Sequence, residues 1–345
     1  MRALYMTKFG ADAEIADIPQ PEPGPGQVVV KIGGAGACHS DLHVMHEFAE
    51  GMAPWGPPFV IGHENAGWVH AVGAGVRRVE VGEPVAVYGP LGCGRCTPCA
   101  AGAENLCDHG YEGPPGIGFG VDGGMAEYLL VDDPRHLVPI GDLDPVDAAP
   151  LTDAGLTPYR AVKRVLPKLV PGSRALVIGV GGLGHFAVQI LSALSGATIV
   201  AVDTRSSALE LAGQVGAHAT VQSGDTGDPA AVLDALGGRK ADVVFDFVGA
   251  ESTIALGAGL TRVAGELMVV GAAAGTFPWN FYALPYEVNL STSFWGTLPE
   301  LHEVIALARR GLIKGQVQRF TLDDAMEAYH LMEKGQLSGR AVVVP

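Results

Sequence analysis

A chain of 345 residues exceeds what one hydrophobic core usually organises, so two domains are expected, and five cysteines in this length exclude a small disulfide scaffold. Apolar residues make up 48% and charged residues 17%, which supports a globular core and excludes a disordered chain. Lys plus Arg number 22 against 37 Asp plus Glu, a net charge of −15 that repels nucleic acid and anionic membrane surfaces. The first ten residues carry no apolar signal segment, and no run of about 18 apolar residues could span a bilayer, so the cytoplasm is the expected location.

Over the first 150 residues, short β-rich runs at 27–32, 66–72, 84–88 and 125–131 alternate with Gly and Pro turns, predicting an irregular all-β lobe with few helices. From about Ser173 the pattern changes. Val- and Ile-rich runs at 175–180, 198–202, 241–248 and 266–270 alternate with helix-length segments, the signature of a parallel sheet covered on both faces. This predicts a doubly wound domain over 154–290, preceded by a β domain over 1–153. Helical stretches at 298–310 and 322–334 and a last strand at 340–344 form a segment, 291–345, expected to return to the first domain.

Four of the five cysteines, Cys93, Cys96, Cys99 and Cys107, fall in one Gly-rich loop. CxxC turns let successive thiolates converge on one ion, so the loop reads as a closed tetrathiolate zinc site whose metal supplies the ordering energy. An iron–sulfur cluster is the sharper alternative, and disulfides are disfavoured in a cytosolic chain. On either metal the closed shell makes the site structural. The fifth cysteine, Cys38, lies in Ala37-Cys38-His39-Ser40-Asp41-Leu42-His43, with Gly62-His63-Glu64 about 25 residues further on. A mixed Cys, His and carboxylate set suits catalytic zinc. The spacing leaves Glu64, Asp153 and other carboxylates open as the third ligand.

The segment from Ala175 through Gly179, Gly181, Gly182, Leu183 and Gly184 is a strand running into GxGxxG, followed by a helix-like stretch at 186–194. That context makes it a dinucleotide loop: tight turn, close approach to a pyrophosphate, and a helix N-terminus facing the anion. Asp203 lies 19 residues beyond Gly184 at the end of the next strand, where a carboxylate accepts bonds from the adenosine ribose and repels a 2′-phosphate. NAD is therefore expected over NADP. Arg205 is the dissenting residue, since a guanidinium there can pair with that phosphate.

Taken together, Gly62-His63-Glu64-x-x-Gly67 with Gly73 and Val76, and the Cys93, Cys96, Cys99, Cys107 lobe, resemble the zinc-dependent medium-chain alcohol dehydrogenases over the whole chain. The segments Leu151-Thr152-Asp153-Ala154-Gly155-Leu156-Thr157 and Phe294-Trp295-Gly296 look closest to bacterial NAD-dependent secondary alcohol dehydrogenases. The resemblance implies an α/β protein: a GroES-like irregular β catalytic domain plus a doubly wound parallel-sheet Rossmann cofactor domain. It implies NAD and two zinc ions per chain, one structural and one catalytic, the catalytic one on Cys38, His63 and Asp153. Many relatives carry Cys at the position of Asp153, and the residue-level alternative for Asp153 is a helix N-cap. Glu64 would stand behind the metal, and Asp41 would fix the His63 tautomer. Ser40 and His43 would relay the proton to solvent. His39 and Arg340 would contact the pyrophosphate, and Val248, Val270 and Ala272 would line the nicotinamide. Trp55, Phe119, Phe294 and Trp295 would form an aromatic substrate wall fitting medium-sized apolar alcohols. The expected partners are a small alcohol or ketone and further copies of the chain, as a homodimer or homotetramer joined along residues 288–295. A polyol or aldehyde dehydrogenase, and a non-catalytic NAD-binding redox sensor, are the competing functions.

Overall fold

The computed structural model describes residues 1–224, 228–337 and 339–345. Two compact units form, one from residues 1–156 with 296–345 and the other from 157–295. In chain order the first contains β1 (Arg2–Met6), β2 (Glu14–Asp17), β3 (Val28–Gly36), α1 (His39–His46), β4 (Phe59–Val60), β5 (Glu64–Val72), β6 (Pro84–Val87), α2 (Thr97–Ala100), β7 (Tyr128–Val131), β8 (Leu137–Pro139) and α3 (Pro145–Ala148). Then come α4 (Leu156–Val165), β9 (Arg174–Ile178), α5 (Gly184–Leu194), β10 (Thr198–Asp203), α6 (Ser206–Gln214), β11 (Ala219–Gln222), α7 (Pro229–Ala235), β12 (Ala241–Asp246), α8 (Glu251–Leu260), β13 (Thr261–Val269) and β14 (Asn289–Thr292). The chain closes with α9 (Leu298–Arg309), β15 (Val317–Thr321), α10 (Ala325–Glu333) and β16 (Arg340–Val344).

In the first unit β3 is the spine. Its length lets β5 pair along one side while β7 takes the first half of the other side and β16 the last residues, so β16 is built into this sheet. The order runs β15-β16-β3-β5-β6-β8. Register then places the end of β3 beside the start of β5, with Gly36 opposite Glu64. A side chain at 36 would force Glu64 out of place, because a Cβ would lie 1.9 Å from the Glu64 Oε2. Helix α9 is begun by a reciprocal cap. The Thr297 Oγ1 accepts the Glu300 amide and Glu300 accepts the Thr297 amide, a pair of bonds stabilising such a terminus by about 1 kcal/mol.

The second unit carries one six-stranded sheet, β11-β10-β9-β12-β13-β14, parallel throughout. Its central strands are buried on both faces, which is why Ala175 to Ile178 and Val243 to Phe245 read as unbroken apolar runs. The doubly wound α/β class expected from that pattern is the fold found. The strand order reverses between β9 and β12, where such sheets open a ligand crevice at the carboxyl ends of their strands. At the opposite rim β14 pairs with β13 on one side and with none of the described strands on the other.

Candidate active site

Cys38, His63 and Asp153 come together although 115 residues separate the first from the last. Cys38 caps α1 just past the end of β3, and His63 immediately precedes β5, so the Gly36–Glu64 register sets the two side by side. Asp153 follows a 3-10 turn at Ala149–Thr152, all four of whose residues are buried. The Asp153 Oδ2 lies 3.8 Å from the Cys38 Sγ and 3.6 Å from the His63 Nε2. The latter is too long for a hydrogen bond, yet a tetrahedral zinc with mixed sulfur, nitrogen and oxygen ligands needs edges of roughly 3.3 to 3.8 Å. The donor set therefore fits zinc. Three protein donors, one fewer than a closed shell, is the count of catalytic zinc sites.

Two buried carboxylates, Asp41 and Glu64, flank this set. Asp41 Oδ1 bonds the His63 Nδ1 at 2.9 Å, which turns Nε2 toward Cys38 and Asp153. Glu64 is fully buried behind the ligands and is not one of them; its carboxylate accepts Arg340 Nε at 2.9 Å, Arg340 Nη2 at 2.7 Å and the Ala154 amide at 2.8 Å. Burial pushes the Glu64 carboxyl up to about 7, against the downward pull of Arg340 and with a further push from Asp153. Burial opposes a charged His63, but Asp41 and Asp153 outweigh it and hold the imidazole well above its usual value. Such crowding of acceptors is what a cation relieves.

The Cys93, Cys96, Cys99 and Cys107 sulfurs also converge, with Cys96 and Cys107 3.9 Å apart, close to the edge of about 3.8 Å that zinc with sulfur at 2.3 Å requires. Amides of Arg95 and Cys96 lower the Cys93 thiol to about 6, whereas burial pushes Cys99 up to about 12. The shell is closed by four thiolates and fits a structural zinc.

In the second unit Gly179 follows β9 with φ at +83°, and a Cβ there would strike Val248 at 2.6 Å. Gly184 opens α5 so tightly that its Cβ would sit 1.9 Å from the Gly179 carbonyl. Asp203 at the end of β10 accepts the Val180 amide at 2.7 Å and also the Arg205 amide and Nε, so the two residues of opposite cofactor preference form a pair. A strand, this loop, a helix N-terminus and an acid on the next strand are the parts of a dinucleotide site.

Two family models cover most of the chain: the alcohol dehydrogenase GroES-like domain matches residues 24–142 and the zinc-binding dehydrogenase matches 182–310. An NAD-dependent alcohol dehydrogenase of Sulfurisphaera tokodaii is 34% identical, with 100% of both chains covered. The crystal structure of the Aeropyrum pernix alcohol dehydrogenase superposes with a TM-score of 0.91 at 33% identity over 100% of both chains. Acetophenone reductase of Geotrichum candidum, solved in complex with NAD, gives 0.85 at 33% over 100% of this chain and 97% of its own. The chain belongs to the zinc-binding alcohol dehydrogenases.

Ser40 lies on α1 with its Oγ 3.4 Å from the His63 Nε2, and His43, three residues on and so on the same helix face, is half-buried and bonded to Glu47 at 2.8 Å. His39 is exposed on the same helix. Arg340, expected on a pyrophosphate, is 4% exposed and gives Nε and Nη2 to Glu64. Val248, Val270 and Ala272 sit at the carboxyl ends of β12 and β13. Phe119 stacks on the His63 ring at 4.7 Å, and Trp55 lies beyond it, 6.4 Å from Phe119. Phe294 and Trp295 belong to the second unit, Phe294 half exposed and Trp295 buried in a left-handed conformation at φ 48°.

Tyr329 escaped the sequence reading. Its hydroxyl bonds the Asp41 Oδ2 at 2.7 Å across 288 residues of chain, and no local pattern in α10 announces it.

Proposed function

We propose that the protein is an NAD-linked zinc alcohol dehydrogenase acting on medium-sized apolar secondary alcohols and the matching ketones, with residues 1–153 as the catalytic domain and 154–290 as the cofactor domain. The observation that carries the reading is the convergence of Cys38, His63 and Asp153 into a three-donor set. When bound there, zinc supplies a Lewis acid that lowers the pKa of an alcohol, and NAD supplies the hydride acceptor.

The chain's own groups would do the rest. Asp41 holds the His63 tautomer, and the Arg340–Glu64 pair keeps the strand ends behind the ligands in place. Ser40 and His43 would relay the alcohol proton to solvent. The Phe119 ring against His63, with Trp55 beyond it, supports an apolar substrate over a polyol, which would need several polar partners. The acetophenone reductase likeness points the same way. Asp203 would accept the ribose hydroxyls of NAD.

Two zinc ions per chain, with NADH formed from 2-octanol faster than from sorbitol and abolished by 1,10-phenanthroline, is the expected result. One zinc and no turnover on any alcohol would overturn the reading and favour a nucleotide-binding sensor. Cofactor choice has its own test. Asp203→Gly removes the repulsive carboxylate and its bonds to Arg205, so kcat/KM for NADP relative to NAD is expected to rise about 10- to 100-fold, the worth of one charged hydrogen bond. An unchanged ratio would place cofactor selection elsewhere.

No helix among the described residues is long and apolar enough to cross a membrane. We place the protein in the cytoplasm as a homodimer or homotetramer joined through the open side of β14. Light scattering on the purified protein reads the subunit count, and a monomer would refute the assembly.

A further inference from the structure

Asp41 can orient His63 only if something orients Asp41. A carboxylate turns easily about its terminal torsion, so an oxygen facing an imidazole stays there only when donors hold its twin. In this protein Asp41 is 1% exposed and Oδ2 has two donors, the Cys38 amide at 3.0 Å and the Tyr329 hydroxyl at 2.7 Å. The two are not equivalent. The Cys38 amide belongs to the same first turn of α1 and moves with it, whereas Tyr329 comes from α10 and ties the carboxylate to a separate element.

That element is itself held against α1. Asp12, in the loop after β1, accepts His46 Nε2 from the last turn of α1 at 2.9 Å and His330 Nε2 from α10 at 3.1 Å. The residue next to Tyr329 thus links the two helices through Asp12, and Tyr329 itself is 0% exposed.

Resting on the reading that zinc sits on Cys38, His63 and Asp153, we infer that Tyr329 is a positioning residue: its hydroxyl locks the Asp41 carboxylate plane and, through it, the direction of the His63 Nε2. The chain of contacts is Tyr329 to Asp41 to His63, at 2.7 and 2.9 Å, every member buried. A tyrosine serving as core filler alone would need only its ring, and Phe would replace it without consequence at the metal.

Tyr329→Phe keeps the ring and removes the hydroxyl. The zinc-loaded variant should still hold two ions per chain, but release to 4-(2-pyridylazo)resorcinol from the Cys38 site should quicken about 10-fold, as for loss of a ligand's outer partner. Release from the four-cysteine site should stay unchanged and serves as the internal control. Cobalt placed in the Cys38 site should show shifted visible bands. In an Asp41→Ala background the same substitution should add nothing, because the hydroxyl acts through that carboxylate. Identical release and cobalt spectra in Tyr329→Phe and the parent would overturn the inference, as would equal acceleration at both sites or an additive effect on Asp41→Ala. A parent protein that binds one metal per chain would instead overturn the zinc reading, and the positioning role with it.

Discussion

His63→Ala is expected to lower kcat/KM for alcohol oxidation by roughly a thousandfold or more while zinc falls from two ions per chain to one. The ring supplies one of three converging donors, and a metal ion contributes several kcal/mol of transition-state stabilisation, each 1.36 kcal/mol being about tenfold in rate. Cys38 and Asp153, left as a pair, cannot hold the ion against competing water. The four-cysteine loop should keep its zinc, because none of its donors touches the substituted residue. Metal analysis and steady-state kinetics on the same preparation read both effects, and full activity with one zinc lost would place the chemistry elsewhere.

The second large effect is on stability. Arg340→Met should destabilise the protein by about 3–5 kcal/mol, a large share of the roughly 5–15 kcal/mol that natural proteins possess. Glu64 is fully buried, and two of the three bonds its carboxylate accepts come from Arg340. Removing the guanidinium leaves that carboxylate unpaired in a region where burial already pushes its pKa upward, so it stays charged at a cost or takes up a proton. The double variant Glu64→Gln/Arg340→Met keeps an acceptor for the Ala154 amide and no buried charge, so it should recover most of the loss. Urea denaturation of the two variants and the parent measures the difference. Equal losses in the single and double variants would show that packing, and not the stranded charge, is what Arg340 contributes.

These two expectations rest on different kinds of information. The four cysteines, the glycine loop and the alternation of apolar strands with helices were legible because each is a requirement on contiguous backbone. A CxxC turn brings its own thiolates together, Gly184 must be bare because the Gly179 carbonyl is 1.9 Å from where its Cβ would be, and a doubly covered strand must be apolar along its whole length. Other features are pairings between distant segments. Spacing left several carboxylates open beside Cys38 and His63. The sheet register and the buried turn before Asp153 bring that residue to the ligands, and Glu64 turns to Arg340, 276 residues away. Tyr329 carries no signal in α10, since a buried tyrosine reads the same whether or not its hydroxyl meets a carboxylate. Composition, local motifs and strand class were determined by the sequence alone. Which donors face one another was decided only when β3, β5 and β16 paired, because a side chain's partner across a sheet depends on register, and register is a property of the whole fold.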